Sequence, residues 1–221
     1  MGAHTLPAAH APLAAESRPI VVKLGGSVVR SPELPSWLDV IAASPQPIIV
    51  VPGGGALADE VRACQSHLGF GDASAHRMAL LAMDQLAWAV GGLRAGFEVG
   101  DTEEALRASL AHGRVAVWAP YSLVAGRSDI PQSWTVTSDS LALWLARRLG
   151  AACCYVIKSI ERRRAAFSAV ELAREAVVDE AFPAMRKDAG FPVFLLGRGD
   201  QAALAASLSA PGEACCGATI D

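Results

Sequence analysis

Lysine is nearly missing from this chain: among 221 residues it occurs only at Lys23, Lys158 and Lys187, and arginine supplies most of the positive charge. With a formal net charge of -3 and no long basic block, the sequence excludes a protein whose main affinity is for the nucleic-acid backbone. Long apolar runs are lacking too. Gly, Pro, Arg or Asp interrupts each hydrophobic stretch before the roughly 18 residues of a spanning helix, so no membrane partner is expected. The five cysteines, Cys64, the pair Cys153 and Cys154, and the pair Cys215 and Cys216, form neither an even framework nor a CxxC spacing. Reduced thiols in a cytoplasmic protein fit that pattern, and the 153–154 pair reads as small side chains buried in an apolar strand. The first 18 residues lack a basic start followed by a continuous apolar segment, which excludes a secretory signal there. They read as a flexible tail ahead of a single domain over residues 19–221, and the chain's 52% hydrophobic content suffices for one core.

What is present is a repeated grammar of short apolar runs ended by turn residues. Ile20 to Leu24 runs into Gly25-Gly26, Pro47 to Val51 into Pro52-Gly53-Gly54-Gly55, and Val115 to Trp118 towards Pro120. Cys153 to Ile157 follows Gly150, and further strands are expected at Val193 to Leu196 and Ala218 to Ile220. Helical patterns lie between them over Leu57 to Leu68, Ala73 to Leu93, Thr102 to Ala111, Ser138 to Leu149 and Ala169 to Val177. Ser168 with Glu171 has capping-box spacing, and Gly150 after Arg147-Arg148 suits a helix C-terminus. Strands alternating with helices predict an α/β fold, a three-layer α/β/α sandwich around a mostly parallel sheet. The longest non-periodic segment, Ser122 to Thr137, is the kind of loop that often carries function.

In such sheets ligands collect beyond the carboxyl ends of the strands. Gly25-Gly26-Ser27 and Gly53-Gly54-Gly55 sit there, where missing side chains let backbone amides approach an anion; a plain turn is the alternative reading for either cluster alone. Neither is a GxxxxGK phosphate loop. Lys23 lies within an apolar strand, where an ammonium is costly unless it reaches solvent at an edge or meets an anion. Lys158 stands near the end of another strand, so both could follow a transferring phosphoryl group. Asp139, after Thr137-Ser138, opens a helix and suits either a capping role or the alignment of cations or a metal. His76 and Asp84, eight residues apart, share a helical face. Trp134 could lie flat against a planar ring or anchor the loop. The arginines 162 to 164 read as a solvated loop, a phosphate lid or a subunit contact.

KLGGS at Lys23 to Ser27, PGGG at Pro52 to Gly55 and TSDSLALWLA at Thr137 to Ala146 occur in the order seen in the amino acid kinase superfamily, which the chain resembles over nearly all its length after the tail. DASAHRMALLAMDQLAWAV at Asp72 to Val90 and SWTVTSDSLA at Ser133 to Ala142 are most similar to the small aspartokinase-like branch of 5-(aminomethyl)-3-furanmethanol phosphate kinases. The resemblance implies ATP and Mg2+, a small anionic acceptor that becomes a diphosphate for methanofuran-type cofactor synthesis, and association into a homo-oligomer. It implies Lys23, Asp139 and Lys158 as catalytic residues, with Gly25, Gly26, Ser27 and Lys158 on the nucleotide. Gly53, Gly54, Gly55, His76, Arg77, Trp134, Thr137 and Ser138 would then face the acceptor, with Arg77 as a phosphate clamp. The chain departs from the superfamily in reading Lys158-Ser159-Ile160-Glu161 where many relatives have a DVDG-like loop, and in lacking a GGMxxK segment, for which Lys158 is the substitute. A kinase for another carboxylate or a nucleotide monophosphate, or a non-catalytic oxoanion-binding subunit, would share the same glycine loops.

Overall fold

The computed structural model describes residues 18–162, 164–209 and 217–221. Residues 1–17 of the expected tail over residues 1–18, together with Arg163, Cys215 and Cys216, lie outside the described residues. Arg18, the last residue of that expected tail, donates to the carbonyls of Gly150 and Ala151 at 2.9 and 2.7 Å.

The described elements, in chain order, begin with β1 (Ile20–Leu24), α1 (Gly26–Val29), α2 (Leu34–Ala42), β2 (Ile48–Pro52), α3 (Gly55–Leu68) and α4 (Asp72–Leu93). They continue with β3 (Phe97–Gly100), α5 (Glu103–Ala111), β4 (Val115–Trp118), α6 (Tyr121–Val124), α7 (Ser138–Leu149) and β5 (Cys153–Ile157). Last come β6 (Ala166–Phe167), α8 (Ala169–Arg174), α9 (Phe182–Lys187), β7 (Val193–Leu196), α10 (Gln201–Ser209) and β8 (Ala218–Ile220). The strands form one sheet in the order β3-β4-β2-β1-β5-β7-β8-β6, parallel throughout except where β8 runs against β7. Helices cover both faces, as the alternating pattern predicts.

Alternation along β1 divides the core. Ile20, Val22 and Leu24 join Trp37, Leu38 and Ile41 of α2 and Leu204 and Leu208 of α10 on one face. Val21 joins Leu80 and Met83 of α4, Leu106 of α5 and Leu141 and Leu145 of α7 on the other. Each such side chain, fully buried, contributes about 1.5–3 kcal/mol. Lys23, two residues beyond Val21, projects to the second face, towards α7.

Several local expectations shift. Thr102 acts as the cap of α5 by accepting from Ala105 N at 3.1 Å. Ser168 makes no capping hydrogen bond, and the Glu171 carboxylate lies 3.6 Å from Arg164. The predicted helix to Val177 ends at Arg174, since Ala176 takes a positive φ of 54°. Gly150 does end α7 in the left-handed conformation, at φ 68°.

Candidate active site

The parallel strands β1, β2 and β5 end side by side: Lys23 is aligned with Val51 and Val156, and Leu24 with Pro52 and Ile157. Both glycine turns therefore leave the sheet at the same edge. They touch through bare backbone. A Cβ on Gly26 would stand 2.6 Å from both Cα and N of Gly55, and one on Gly53 would stand 2.7 Å from Gly26 N. Gly55 also has φ of +51° as α3 begins. Gly25 does different work. It is buried, its N–H donates to Ile157 O at 2.9 Å, and it lies behind the cavity wall that Gly26 and Ser27 form.

Lys23 is not an edge-strand lysine. β1 is paired on both sides, and Lys23 is only 2% exposed. Its Nζ lies 2.6 Å from Asp139 Oδ1, while Lys158 Nζ donates to Asp139 Oδ2 at 2.6 Å. One carboxylate thus bridges two ammoniums. Burial lowers the Lys23 pKa to about 8, against the pull of Asp139 and with added repulsion from Lys158. Burial also pushes the Asp139 carboxyl up, but the two ammoniums outweigh it and hold the group below the usual carboxylate range. With all three groups ionised, the cluster carries one surplus positive charge at the strand ends.

Asp139 is free for this because another residue caps its helix. Asp179, which the sequence reading did not single out, accepts from Thr137 N and Thr137 Oγ1, both at 2.9 Å, and from Ser140 N at 3.0 Å. Its second oxygen takes the Ser140 hydroxyl. Ser140 N is the third amide of α7, the one a capping group ordinarily receives. Burial raises the Asp179 carboxyl, and the Asp139 charge adds to this, while the Ser140 and Thr137 donors oppose it. The Thr137 hydroxyl, expected to face the acceptor, is thereby committed to Asp179.

These groups bound a cavity of about 220 Å³. Lys23, Lys158, Asp139, Ser138 and Gly53 to Gly55 line its polar side, and Leu80, Met83, Val136 and Leu141 its apolar side. Ser133 to Thr137, the end of the expected functional loop, contributes to the rim, with Thr135 outside the lining. His76 is 4% exposed and lines the cavity, whereas Arg77 is exposed on the far side of α4 and does not. Asp84 turns away as well, accepting from Tyr121 N at 3.1 Å at the start of α6. The cation at the rim is Arg62 of α3, 4.0 Å from the centre of the Trp134 ring and 3.1 Å from Asp59. Trp134 Nε1 donates to Gln65 Oε1 at 2.6 Å, so its position is set from α3. Spacing could have found Arg62, because it lies two helical turns after Gly55.

Beyond β5, Arg162 makes a two-pronged pair with Asp200, at 2.7 and 3.1 Å, and Asp200 also accepts from Gly197 N at 2.8 Å. The first arginine of the run is thus held against the loop after β7. Among the described residues no three His, Cys, Asp or Glu side chains are grouped to hold a metal ion.

Comparison with solved structures finds the same fold in uridylate kinase from Archaeoglobus fulgidus, with a TM-score of 0.67 and 17% identity over 91% of this chain and 99% of that one. Aspartate kinase from Synechocystis follows at a TM-score of 0.59 and 16% identity, over 81% of this chain and 37% of that one. In sequence the chain is 27% identical over 134 residues to [5-(aminomethyl)furan-3-yl]methyl phosphate kinase of Methanocaldococcus jannaschii. That match spans 58% of this chain and 60% of the relative's length. Residues 18–162 match the amino acid kinase family, and since they make up well over half of its length, the chain belongs to that family.

Proposed function

We propose that the protein transfers the γ-phosphoryl group of ATP to the phosphate of a small acceptor, giving a diphosphate. The observation that carries this reading is the buried bridge of Lys23, Asp139 and Lys158 beneath two glycine turns. Two ammoniums around one carboxylate form a rigid positive site, which is what a migrating phosphoryl group with its spread negative charge requires. An acceptor phosphate is mostly dianionic at neutral pH, so its oxygen can attack the γ-phosphorus without a general base. The new O–P bond forms as the bond from γ-phosphorus to the bridging oxygen breaks, and ADP leaves. Lys23 and Lys158 neutralise the three equatorial oxygens, and the amides of Gly26, Ser27, Gly54 and Gly55 hold the flanking phosphates, the Gly53 amide being donated to Leu24 O.

ATP enters as its magnesium complex. The carboxylate at the centre of the site is taken up on both oxygens by lysines, so a magnesium ion would take its ligands from the phosphates and water, a usual arrangement for Mg2+. The acceptor we infer is an aminomethyl-furanmethanol phosphate or a close analogue, serving a methanofuran-type cofactor. The name of the archaeal relative and the modest cavity, below the about 300–1,000 Å³ of drug-sized sites, support it. No helix among the described residues is long and apolar enough to cross a membrane, and the reduced cysteines suit the cytoplasm. Exposed Met78, Leu81 and Trp88 along α4 support association of copies.

The test is incubation with Mg-ATP and candidate acceptor phosphates, read by phosphorus NMR. A new pair of coupled diphosphate resonances beside those of ADP is expected. ADP formation that is indifferent to every acceptor would count against the reading.

A further inference from the structure

His76 lies in the second turn of α4, almost wholly buried, in the wall of the cavity. The backbone of Ser133 lies beside the ring and partly counters the effect of burial on its charge. Nε2 is buried and has no partner. Burial favours the neutral ring over the imidazolium, and with the ring proton on Nδ1 the unpartnered Nε2 is an acceptor only. No neighbouring group satisfies it. Ala79, Leu80, Met83 and Val136, which share the cavity wall, have no side-chain donor, and the Trp134 N–H is committed to Gln65.

An acceptor atom kept dry in an apolar wall is costly, commonly by more than a hydrogen bond returns at the surface. The arrangement becomes favourable when a ligand in the cavity brings the missing donor. The opposite side of the same cavity is cationic and suited to phosphate. We propose that His76 determines specificity by accepting, at Nε2, a hydrogen bond from a hydroxyl or protonated amine of the acceptor while the acceptor's phosphate faces Lys23 and Lys158. This rests on the cavity being the acceptor site, as argued above. It makes the preferred substrate two-ended, with phosphate at one end and an O–H or N–H donor at the other. An apolar tail of equal size is rejected, because it leaves Nε2 unpaired.

The experiment compares three benzyl phosphates that differ at the meta position, with hydroxymethyl, aminomethyl or ethyl. Binding to the full chain is measured by calorimetry and turnover with Mg-ATP by phosphorus NMR. The two donor-bearing compounds are expected to bind about tenfold or more tightly than the ethyl compound, the scale of one buried hydrogen bond. His76→Leu should erase that difference, mainly through KM, while His76→Gln, which retains an acceptor, should keep part of it. Melting curves check that both variants fold. Selective binding without diphosphate formation would sustain this inference and overturn the kinase reading. Diphosphate formation with no preference among the three compounds would overturn this inference and leave the kinase reading standing. Failure of both donor-bearing compounds to bind, or selectivity that persists in a folded His76→Leu protein, also overturns it.

Discussion

Lys23 Nζ and Asp139 Oδ1 stand 2.6 Å apart, and neither residue is more than 4% exposed. A buried pair of this kind contributes little net stability, because desolvation offsets the attraction, yet loss of one partner leaves the other stranded. On the proposed function, the pair is therefore better understood as a device for holding charge where a phosphoryl group passes.

Asp139→Asn should preserve the fold and lose turnover. Helix capping is done by Asp179, so the Asn variant keeps its helix start. Without the carboxylate, Lys23 loses its attractive partner while Lys158 still repels it, and its pKa falls further. A loss of about a hundredfold or more in single-turnover rate is expected, with near-normal circular dichroism. A rate within a few-fold of wild type would remove Asp139 from the catalytic groups.

Activity and stability should respond to pH in opposite directions. The Lys23 pKa, lowered from 10.5 to about 8, makes kcat/KM fall as pH rises through about 8. Between about 8 and 10.5 the unfolded chain binds the proton that folded Lys23 has released, so the Lys23 contribution to stability rises with pH there. Urea melts should show wild type gaining on Lys23→Met from pH 8 to pH 10. A constant difference between the two proteins would mean that Lys23 is not perturbed in the folded state.

Asp179→Ala should act at a distance on Asp139. It leaves the Thr137 and Ser140 donors without their acceptor, a cost of about 1–3 kcal/mol, and loosens the first turn of α7. Both the melting temperature and kcat should fall. Asp179→Asn, which keeps an acceptor oxygen, should recover part of each, whereas recovery of stability alone would confine Asp179 to a structural role.

Gly26→Ala should damage both halves of the site, because the added methyl meets Gly55 backbone and neither loop has a side chain that can move aside. Apparent KM values for ATP and acceptor are both expected to rise, about tenfold or more. Gly71→Ala is the control: its Cβ meets nothing within 4 Å, and rates should stay near those of wild type.

Arg62→Ala should raise the acceptor KM about tenfold, since it removes the rim cation and the contact that covers the Trp134 ring. Arg77→Ala should not, because Arg77 lies outside the cavity. The reverse ranking in acceptor titrations would restore Arg77 as the clamp.

Much of this was legible in the sequence where a local pattern carried it. The central strands stand out as β-branched runs, and Lys23 stands out because an ammonium breaks one of them. β3 escaped notice because Phe97-Glu98-Val99-Gly100 mixes a charge and a glycine into an edge strand. α2 was hidden by Pro35, which is permitted only because it falls in the first turn. Asp179 was invisible for a different reason. It contacts Thr137 and Ser140 across some forty residues, and no spacing rule links a loop carboxylate to the start of a helix that far upstream. Choosing Arg77 over Arg62 reflects the same gap, since helical phase can be read from sequence but the direction of the cavity cannot.

The central position of β1 also bears on how the molecule comes into being. Its first strand aligns Ile20 with Ile48 on one side and with Cys153 on the other, so the strand that carries Lys23 waits for its second neighbour until most of the chain has emerged from the ribosome. Until β5 docks, the lysine has neither its second flanking strand nor Lys158 beside it. Catalytic competence therefore arrives late, with the longest-range pairing in the central sheet. Recovery of phosphotransfer during refolding should lag behind the return of helical signal.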